Sequence, residues 1–404
     1  MENIKKSLLF NVSCVALVVT ALTFATRAGM IEPWRQEFKL TAEQAGWIIG
    51  TAFWGFTLAM ILGGPLVDLI GMKRIIFIAF GCHIAGILLT IFATGFWMLF
   101  ISTLFIGIAN GSVEASTNPL IAAMYVDDKT KKLNLFHVWF PGGIVIGGLM
   151  VFILEALGYG WRIQMAAMLI PTLLYGILFI NQRFPETERV TAGFSYKDML
   201  KACVSPLFLF MAACMIMTAS TELGSNQWMT ALLEDVMKKE GLHSILLLVW
   251  ISGIMAVGRS IAGPIVHRLS PSGVLLGSAI FSGIGLLLLS YADGYWSFGA
   301  AAVFAVGITY FWPTMLGFVN ENIPQSGALG LAIMGGIGFL GGAIAQPVLG
   351  RIYDLKVAVL QDNLAAGSAT LRSVIVLTII LTFAFTYLFI RQRKRKAEGN
   401  QRQV

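Results

Sequence analysis

Twelve apolar stretches, each long enough to cross a bilayer as a helix, divide the chain almost from end to end. Because a helix rises 1.5 Å per residue, about 20 mostly apolar residues cross a hydrocarbon core of roughly 30 Å. The stretches lie at residues 8–31, 45–70, 75–94, 97–125, 135–157, 161–180, 207–232, 245–266, 274–292, 298–319, 329–349 and 374–390. They predict an all-α membrane protein with no room for a soluble catalytic or sensory domain.

Composition supports a membrane location. Hydrophobic residues make up 57% of the 404 residues and charged residues only 12%, and the mean hydropathy is +0.79. These values lie far from those of a water-soluble domain. The four cysteines lie in or beside apolar stretches without paired spacing, so neither a disulfide framework nor a metal site is indicated.

Lysine and arginine in the connections predict the orientation, because positively charged loops stay in the cytoplasm. With the N-terminus inside, the inner side collects many more of these residues than the outer side. Both termini are therefore predicted to be cytoplasmic, in a multi-pass protein of a bacterial inner membrane. We assign the net charge of +7 to topology and to contact with anionic lipid headgroups of the bilayer, and not to nucleic acid. The apolar run after Lys5 and Lys6 is interpreted as an uncleaved first helix.

The chain repeats itself about a central polar segment. Residues 64–68 (GPLVD) end the second stretch and residues 263–267 (GPIVH) end the eighth, so the offset is 263 − 64 = 199 residues. The predicted domains are a six-helix bundle at 1–181, a cytoplasmic linker at 182–206, a second six-helix bundle at 207–390 and a basic tail at 391–404. Such a repeat places a substrate site between the halves, near the middle of the membrane.

Residues 64–74, GPLVDLIGMKR, resemble the signature that major facilitator transporters carry between helices 2 and 3, written G-x3-D-x2-G-x-[KR]-[KR]. The resemblance implies twelve helices in two pseudo-symmetric bundles and transport by alternating access. It also implies that Asp68, Lys73 and Arg74 form a cytoplasmic gating latch. In the second copy His267 stands where the first has the acid, and no function is assigned to it.

A narrower resemblance is to the fucose and glucose proton symporters of that superfamily. It rests on residues 114–119 (EASTNP), 133–137 (LNLFH) and 312–314 (WPT), and residues 185–189 (PETER) are similar to an element after helix 6 of sugar porters. The resemblance implies that Glu114 belongs to a proton and sugar site, with Asn118 beside it.

The chain departs from these symporters in two places. Arg27 stands beside the position of a helix-1 aspartate, and a polar position on helix 5 is replaced near Phe140. A helix-4 arginine common in proton antiporters is absent, with Ser102 near its position. This disfavours drug–proton antiport.

Four ionisable residues inside apolar stretches are functional candidates, because a charge at the bilayer centre costs about 2.5–3.5 kcal/mol on insertion scales. They are Arg27, Glu114, Glu222 and Arg259. Asn110, Glu114 and Asn118 follow i, i+4, i+8 spacing and predict one polar ridge on the fourth helix. Protonation at Glu114 would couple transport to protons; a purely structural hydrogen bond is the alternative.

A second polar ridge on the seventh helix includes Glu222 and Asn226. Arg27 and Glu222 each stand two residues before a glycine, so the repeat places opposite charges at comparable depth, as an ion pair between the halves or as a structural bridge. Arg259 is assigned either to helix packing or to substrate. His137 is assigned either to a proton relay with Glu114 and Glu222 or to the membrane interface.

Aromatic side chains are candidates to stack on a sugar ring, and the alternative for each is ordinary packing. Trp228 and Trp312 are the candidates retained as substrate-binding residues, together with Asn110, Asn118, Asn226, Arg27, Arg259 and Gln346.

These features predict a secondary transporter and not an enzyme. The leading hypothesis is import of a monosaccharide by proton symport, and the alternative is a small organic anion such as a hexuronate or carboxylate. No prosthetic cofactor is implied, the expected partners are substrate, proton and bilayer, and a monomer is expected. A nucleotide-driven pump is disfavoured because the sequence lacks a G-x4-G-K-[ST] loop.

Overall fold

The computed structural model describes residues 4–127, 129–186, 196–261 and 268–401. Within these residues eleven helices are long and apolar enough to cross a membrane, and a shorter apolar helix, Ile245–Ser260, is the twelfth. The predicted all-α membrane fold is confirmed.

We number the membrane helices α1 to α12. Four of them are interrupted, and their parts are given together. The bounds are α1 Lys6–Phe38, α2 Ala42–Ile70, α3 Met72–Ile91, α4 Phe96–Met124, α5 Lys129–His137 with Trp139–Ala156, α6 Trp161–Ala167 with Leu169–Ile180, α7 Pro206–Ala219 with Ser220–Gly224 and Ser225–Leu232, α8 Ile245–Ser260, α9 Pro271–Leu289, α10 Trp296–Ile308 with Phe311–Asn322, α11 Gly327–Leu360 and α12 Asn363–Gln401.

Three of the breaks have one cause. Proline has no N–H and cannot donate to the carbonyl four residues earlier. In α5, Pro141 lies four residues after His137, where the first part ends. In α6, Pro171 lies four residues after Ala167, the end of its first part. In α10, Pro313 lies four residues after Thr309, which follows the first part. The break in α10 leaves the Thr309 carbonyl for a side chain, which bears on the candidate site.

Because successive helices alternate in direction, α1 begins and α12 ends at the same side of the molecule. We call this side the terminal end and the opposite side, where α1 joins α2, the distal end. Helices α1–α6 form the first half and α7–α12 the second half. Between the halves, α2 packs along α11 and α5 packs along α8.

Close approach of α2 to α11 depends on glycine. A Cβ at Gly46 would lie 2.4 Å from the carbonyl oxygen of Gln346, and one at Gly350 would lie 2.2 Å from that of Ala42. At the distal end the Asp354 carboxylate of α11 accepts hydrogen bonds from the backbone N–H groups of Ala42 (3.0 Å) and Glu43 (2.8 Å). The distal ends of the two halves are thus in direct contact.

Two of the predicted connecting segments contain helix. The predicted linker contains a short helix, Tyr196–Cys203, and α12 continues through most of the predicted tail to Gln401. Lysine, arginine, alanine and glutamate favour helix even when exposed, so the chemical change at residue 391 does not end the helix. The second copy of the signature at 263–267 and residues 187–189 of the element after α6 lie outside the described residues.

Candidate functional site

Arg27 is a fully buried arginine at the contact between the halves. Its guanidinium carbon lies 4.7 Å from the ring centroid of Phe24 and 5.9 Å from that of Phe53. Both rings face Phe339 of α11. Among the described residues, none of the three guanidinium nitrogens has a hydrogen-bond partner. Two cation–π contacts are therefore the main local compensation for a buried charge.

Glu222 lies on a π-helical turn, Ser220–Gly224, which interrupts α7. One Glu222 oxygen pairs with the Arg259 guanidinium of α8 at 3.3 Å, while the other is buried without a partner among the described residues. Arg259 also donates to the Thr309 carbonyl at 3.2 Å, the carbonyl that Pro313 leaves free. The extra residue of a π turn changes which side of the helix a side chain faces, and here it directs Glu222 to α8.

The ion pair that the repeat suggested between Arg27 and Glu222 is consequently not formed. Glu222 is held by Arg259 within the second half, and Arg27 is left with aromatic neighbours. The repeat placed the two residues at corresponding positions of the sequence, but it could not show the rotation produced by the π turn.

Glu114, Asn118 and His137 lie together in the first half. The Asn118 side chain hydrogen-bonds to Glu114, and its Oδ1 lies 3.1 Å from Nε2 of His137. All three side chains are half-buried. A carboxyl, an amide and an imidazole thus form a connected group within the first half.

Asn110 does not join that group, although the helical spacing placed it on the same ridge. Its Oδ1 lies 2.8 Å from Nε2 of His83, and its Nδ2 donates to Thr23 at 2.8 Å. Nδ1 of His83 lies 2.8 Å from the Tyr175 hydroxyl. This buried network joins α1, α3, α4 and α6 and engages both polar atoms of the amide.

His83 was missed by the sequence interpretation. A histidine in the middle of an apolar stretch of α3, one of only four in the chain, was the available signal. Its partners lie 27 and 92 residues away, so no local spacing relates them.

A small cavity of about 20 Å³ lies between the halves, with room for about one water molecule. Phe24, Glu222, Asn226 and Gln227 are among its lining residues. Asn226 and Gln227 each keep a buried side-chain oxygen with no partner among the described residues. Phe24 connects this cavity with Arg27, whose guanidinium lies over the same ring.

The remaining predicted binding residues differ in what they can reach. Trp228 is buried, and its indole N–H donates to the Gln346 carbonyl at 3.2 Å. This hydrogen bond joins α7 to α11. Gln346 donates to the Leu223 carbonyl at 3.3 Å and keeps a buried oxygen unpaired among the described residues. Trp312 is half-buried and its ring lies 5.1 Å from that of Phe339, on the aromatic cluster next to Arg27.

The predicted latch residues lie at the terminal end. Lys73 donates to the carbonyls of Ile180 (2.8 Å) and Gln182 (2.9 Å), and so caps the end of α6 within its own half. Arg74 is exposed and Asp68 is half-buried.

The sequence is similar to those of several known transporters. A gentisate transporter of Corynebacterium glutamicum is 23% identical over 87% of this chain and 82% of its own length. A hexuronate transporter of Bacillus subtilis is 21% identical over 79% of this chain and 81% of its own length. A galactose-proton symporter of Escherichia coli is 25% identical over 44% of this chain and 41% of its own length.

Solved structures with the same fold include the nucleoside transporter NupG, with a TM-score of 0.75 and 15% identity over 95% of this chain and 98% of that one. The fucose:proton symporter of Escherichia coli has a TM-score of 0.62 and 16% identity over 93% of this chain and 98% of that one. These likenesses support the fold.

The family comparison covers most of both halves, from the first helix to Gln346. Residues 12–346 match the Major Facilitator Superfamily. The resemblance drawn from residues 64–74 is therefore confirmed, and the chain belongs to the major facilitator superfamily of membrane transporters.

Proposed function

We propose that the chain imports a small hydroxylated organic carboxylate together with protons across a bacterial inner membrane. The terminal end is the cytoplasmic end in this proposal, and each half acts as a six-helix bundle within a monomer. The buried guanidinium of Arg27 carries the proposal, since its nitrogens are unpaired among the described residues.

The charges between the halves support an anionic substrate. Glu222 and Arg259 form an ion pair, so the net charge between the halves depends on Arg27 and Glu114. Thr23 of α1 contacts Asn110 of α4. Arg27 lies four residues after Thr23, and Glu114 lies four residues after Asn110. Because α1 and α4 run in opposite directions, Arg27 and Glu114 are about 12 Å apart along the helix axes. When Glu114 is protonated, the site keeps one positive charge that a carboxylate would neutralise.

An unpaired buried charge costs several kcal/mol after relaxation. A substrate carboxylate that accepts two parallel hydrogen bonds from Arg27 offsets this cost. The relatives that match over most of their length are transporters of gentisate and of hexuronate. Both substances are hydroxylated carboxylic acids, and this shared chemistry favours the carboxylate over a neutral sugar.

Within this proposal the other residues have distinct roles. Glu114 carries the proton, Asn118 is its hydrogen-bonding partner, and His137 is joined to it through Asn118. The Glu222–Arg259 pair forms the opposite wall. The free oxygens of Asn226 and Gln346 accept hydrogen bonds from substrate hydroxyl groups. Trp312 packs beside the carboxylate site, whereas Trp228 and Asn110 support helix packing. Asp68, Lys73 and Arg74 act at the cytoplasmic end during alternating access.

Uptake into proteoliposomes tests the substrate class. Radiolabelled gentisate, a hexuronate and a neutral hexose would each be offered with an inward proton gradient, to wild type, Arg27→Gln and the matched surface control Arg372→Gln. Arg372 is exposed and lies against Tyr291.

We expect accumulation of a carboxylate by wild type and by Arg372→Gln, and a loss of at least tenfold in Arg27→Gln. Hexose accumulation that is insensitive to Arg27→Gln would contradict the carboxylate assignment.

A monosaccharide is the second candidate. The similarity to the galactose-proton symporter favours it, as do the unpaired amide oxygens in the cavity wall, which suit hydroxyl donors. In this case Arg27 would be a structural cation over Phe24 and Phe53, and the same uptake experiment distinguishes the two candidates.

A further inference from the structure

Two acidic residues at the distal end are related by the internal repeat. Glu155 is near the end of α5 and Asp354 is near the end of α11, and 354 − 155 = 199 residues. This equals the offset between the two GP motifs, 263 − 64 = 199. The two acids are therefore equivalent positions of the first and second halves.

Each acid is linked to the N-terminal turn of a helix in the opposite half, Asp354 directly and Glu155 through His243. Asp354 accepts from the backbone N–H groups of Ala42 and Glu43, the first two residues of α2. Glu155 lies 2.9 Å from Nε2 of His243, whose Nδ1 accepts from the N–H of Ile245, the first residue of α8. Since α2 and α8 are the second helices of the two halves, the contacts are also repeat-related.

The physical reason for the arrangement is the helix terminus. The first N–H groups of a helix have no partner within the helix and carry partial positive charge. A carboxylate placed there forms charge-assisted hydrogen bonds. Asp354 does so directly, and Glu155 does so through an imidazole.

We propose that Glu155 and Asp354 form a symmetric distal latch, which holds the two halves together when the distal side is closed and releases α2 and α8 when that side opens. The latch belongs to the opening of the transporter and does not depend on the substrate proposed above. The two arms differ in strength because the Glu155 side chain is 52% exposed, whereas the Asp354 contacts are part-buried. Solvent screens the exposed arm more.

Neighbouring contacts place the latch at the interface between the two halves. Arg35 lies over the ring of Tyr353, one residue before Asp354, and the Thr230 hydroxyl donates to the Ala28 carbonyl between α7 and α1. Both join the two halves near the same end. Asp354 and Glu155 are the acidic members of this set, so they carry its charge-assisted contacts to helix termini.

The test measures the distance across the distal end without substrate. Nitroxide labels at Gln36→Cys and Val359→Cys, both exposed, report the distal end, and labels at Leu69→Cys and Leu269→Cys report the terminal end. The protein is held in lipid nanodiscs, and its four native cysteines are replaced by alanine. Double electron–electron resonance gives the populations of short and long distances.

We expect Asp354→Ala to raise the ratio of long to short distal distances by about tenfold, an effect within the range of charge-assisted hydrogen bonds. Glu155→Gln is expected to raise it by roughly twofold, because this arm is exposed. Asp354→Asn keeps one acceptor oxygen and should fall between wild type and Asp354→Ala. It also provides a milder variant should the alanine protein fail to fold.

Asp362→Asn is the matched control. Asp362 accepts from the N–H groups of Leu364 and Ala365 at the start of α12, so it caps a helix within the second half and not across the halves. The distal distances in Asp362→Asn should equal those of wild type. Unchanged distal distances in both Asp354→Ala and Glu155→Gln, or an equal change in Asp362→Asn, would overturn the latch. Since no substrate is present, loss of the proposed carboxylate transport leaves this outcome unaffected.

Discussion

At the scale of single residues, the unusual feature is how differently the buried polar groups are used. Every side-chain nitrogen and oxygen of His83 and Asn110 has a hydrogen-bond partner. Arg27, in contrast, has aromatic rings and, among the described residues, no hydrogen bond. A fully paired buried network rigidifies a bundle, and an unpaired charge requires a ligand or a counter-charge. We interpret the first pattern as structural, and the second is the basis of the proposed binding site.

The coupling role proposed for Glu114 predicts a separation of two activities. Glu114→Gln keeps a hydrogen-bonding side chain toward Asn118 but cannot release a proton. We expect proton-driven accumulation of substrate to fall at least tenfold, while exchange of labelled for unlabelled substrate at equal concentrations continues. Both are measured in proteoliposomes containing the carboxylate that wild type accumulates. Loss of exchange together with accumulation would instead indicate a binding or structural role.

The His83 network predicts a stability effect confined to the first half. His83→Leu leaves the Tyr175 hydroxyl and the Asn110 carbonyl without their buried partner, and each orphaned group costs about 1–3 kcal/mol. The thermal unfolding temperature in detergent should fall by several degrees. Tyr175→Phe removes one bond only and should lose less. Equal stability of all three proteins would show that the network contributes nothing.

At the scale of helices, the sequence predicted the membrane segments and missed their interruptions. The length of the apolar stretches identifies α1 to α12, because the hydrocarbon core sets how long a span must be. Each span must also be helical, since its backbone polar groups have no water to bind. The breaks before Pro141 and Pro313 could have been read from the missing N–H. The π turn that holds Glu222 has no comparable signal, because it depends on packing against α8 and α11.

Two closely packed glycines, one in α2 and one in α4, predict which helix contacts tolerate an added methyl group. Cβ atoms would lie 2.4 Å from the Gln346 carbonyl oxygen at Gly46 and 2.1 Å from the Ala52 carbonyl oxygen at Gly107 of α4. Gly46 lies between the halves, which transport must separate, but Gly107 lies within the first half. We expect Gly107→Ala to lower the unfolding temperature more, since overpacking there costs about 1–3 kcal/mol or more.

Gly46→Ala should mainly lengthen the distal distance between labels at Gln36→Cys and Val359→Cys, with a smaller change in unfolding temperature. Thermal unfolding and spin-label distances on the two variants provide the comparison. A greater loss of stability in Gly46→Ala would mean that the α2–α11 contact is as fixed as the interior of one half.

At the scale of the whole molecule, the repeat offset of 199 residues was the most informative sequence feature. It relates α2 to α8 and α5 to α11, and it made the equivalence of Glu155 and Asp354 recognisable once their contacts were known. The candidate site was less predictable. Glu222, Arg259 and Thr309 meet through three helices, and their meeting depends on helix rotation, which composition and spacing do not determine.

The distribution of lysine and arginine makes a last prediction about the orientation of the entire chain. Positively charged connections stay in the cytoplasm, and Lys73, Arg74, Arg391 and Arg393 all lie at the terminal end with both termini. Single cysteines at Leu69 and at Tyr159, both exposed, mark the terminal and distal ends. In a background without native cysteines, a membrane-impermeant maleimide should label Tyr159→Cys in intact cells, whereas Leu69→Cys should react only in inside-out vesicles. The reverse pattern would place the termini outside and would turn the latch formed by Glu155 and Asp354 toward the cytoplasm, so that it would close the exit and not the entrance for an imported solute.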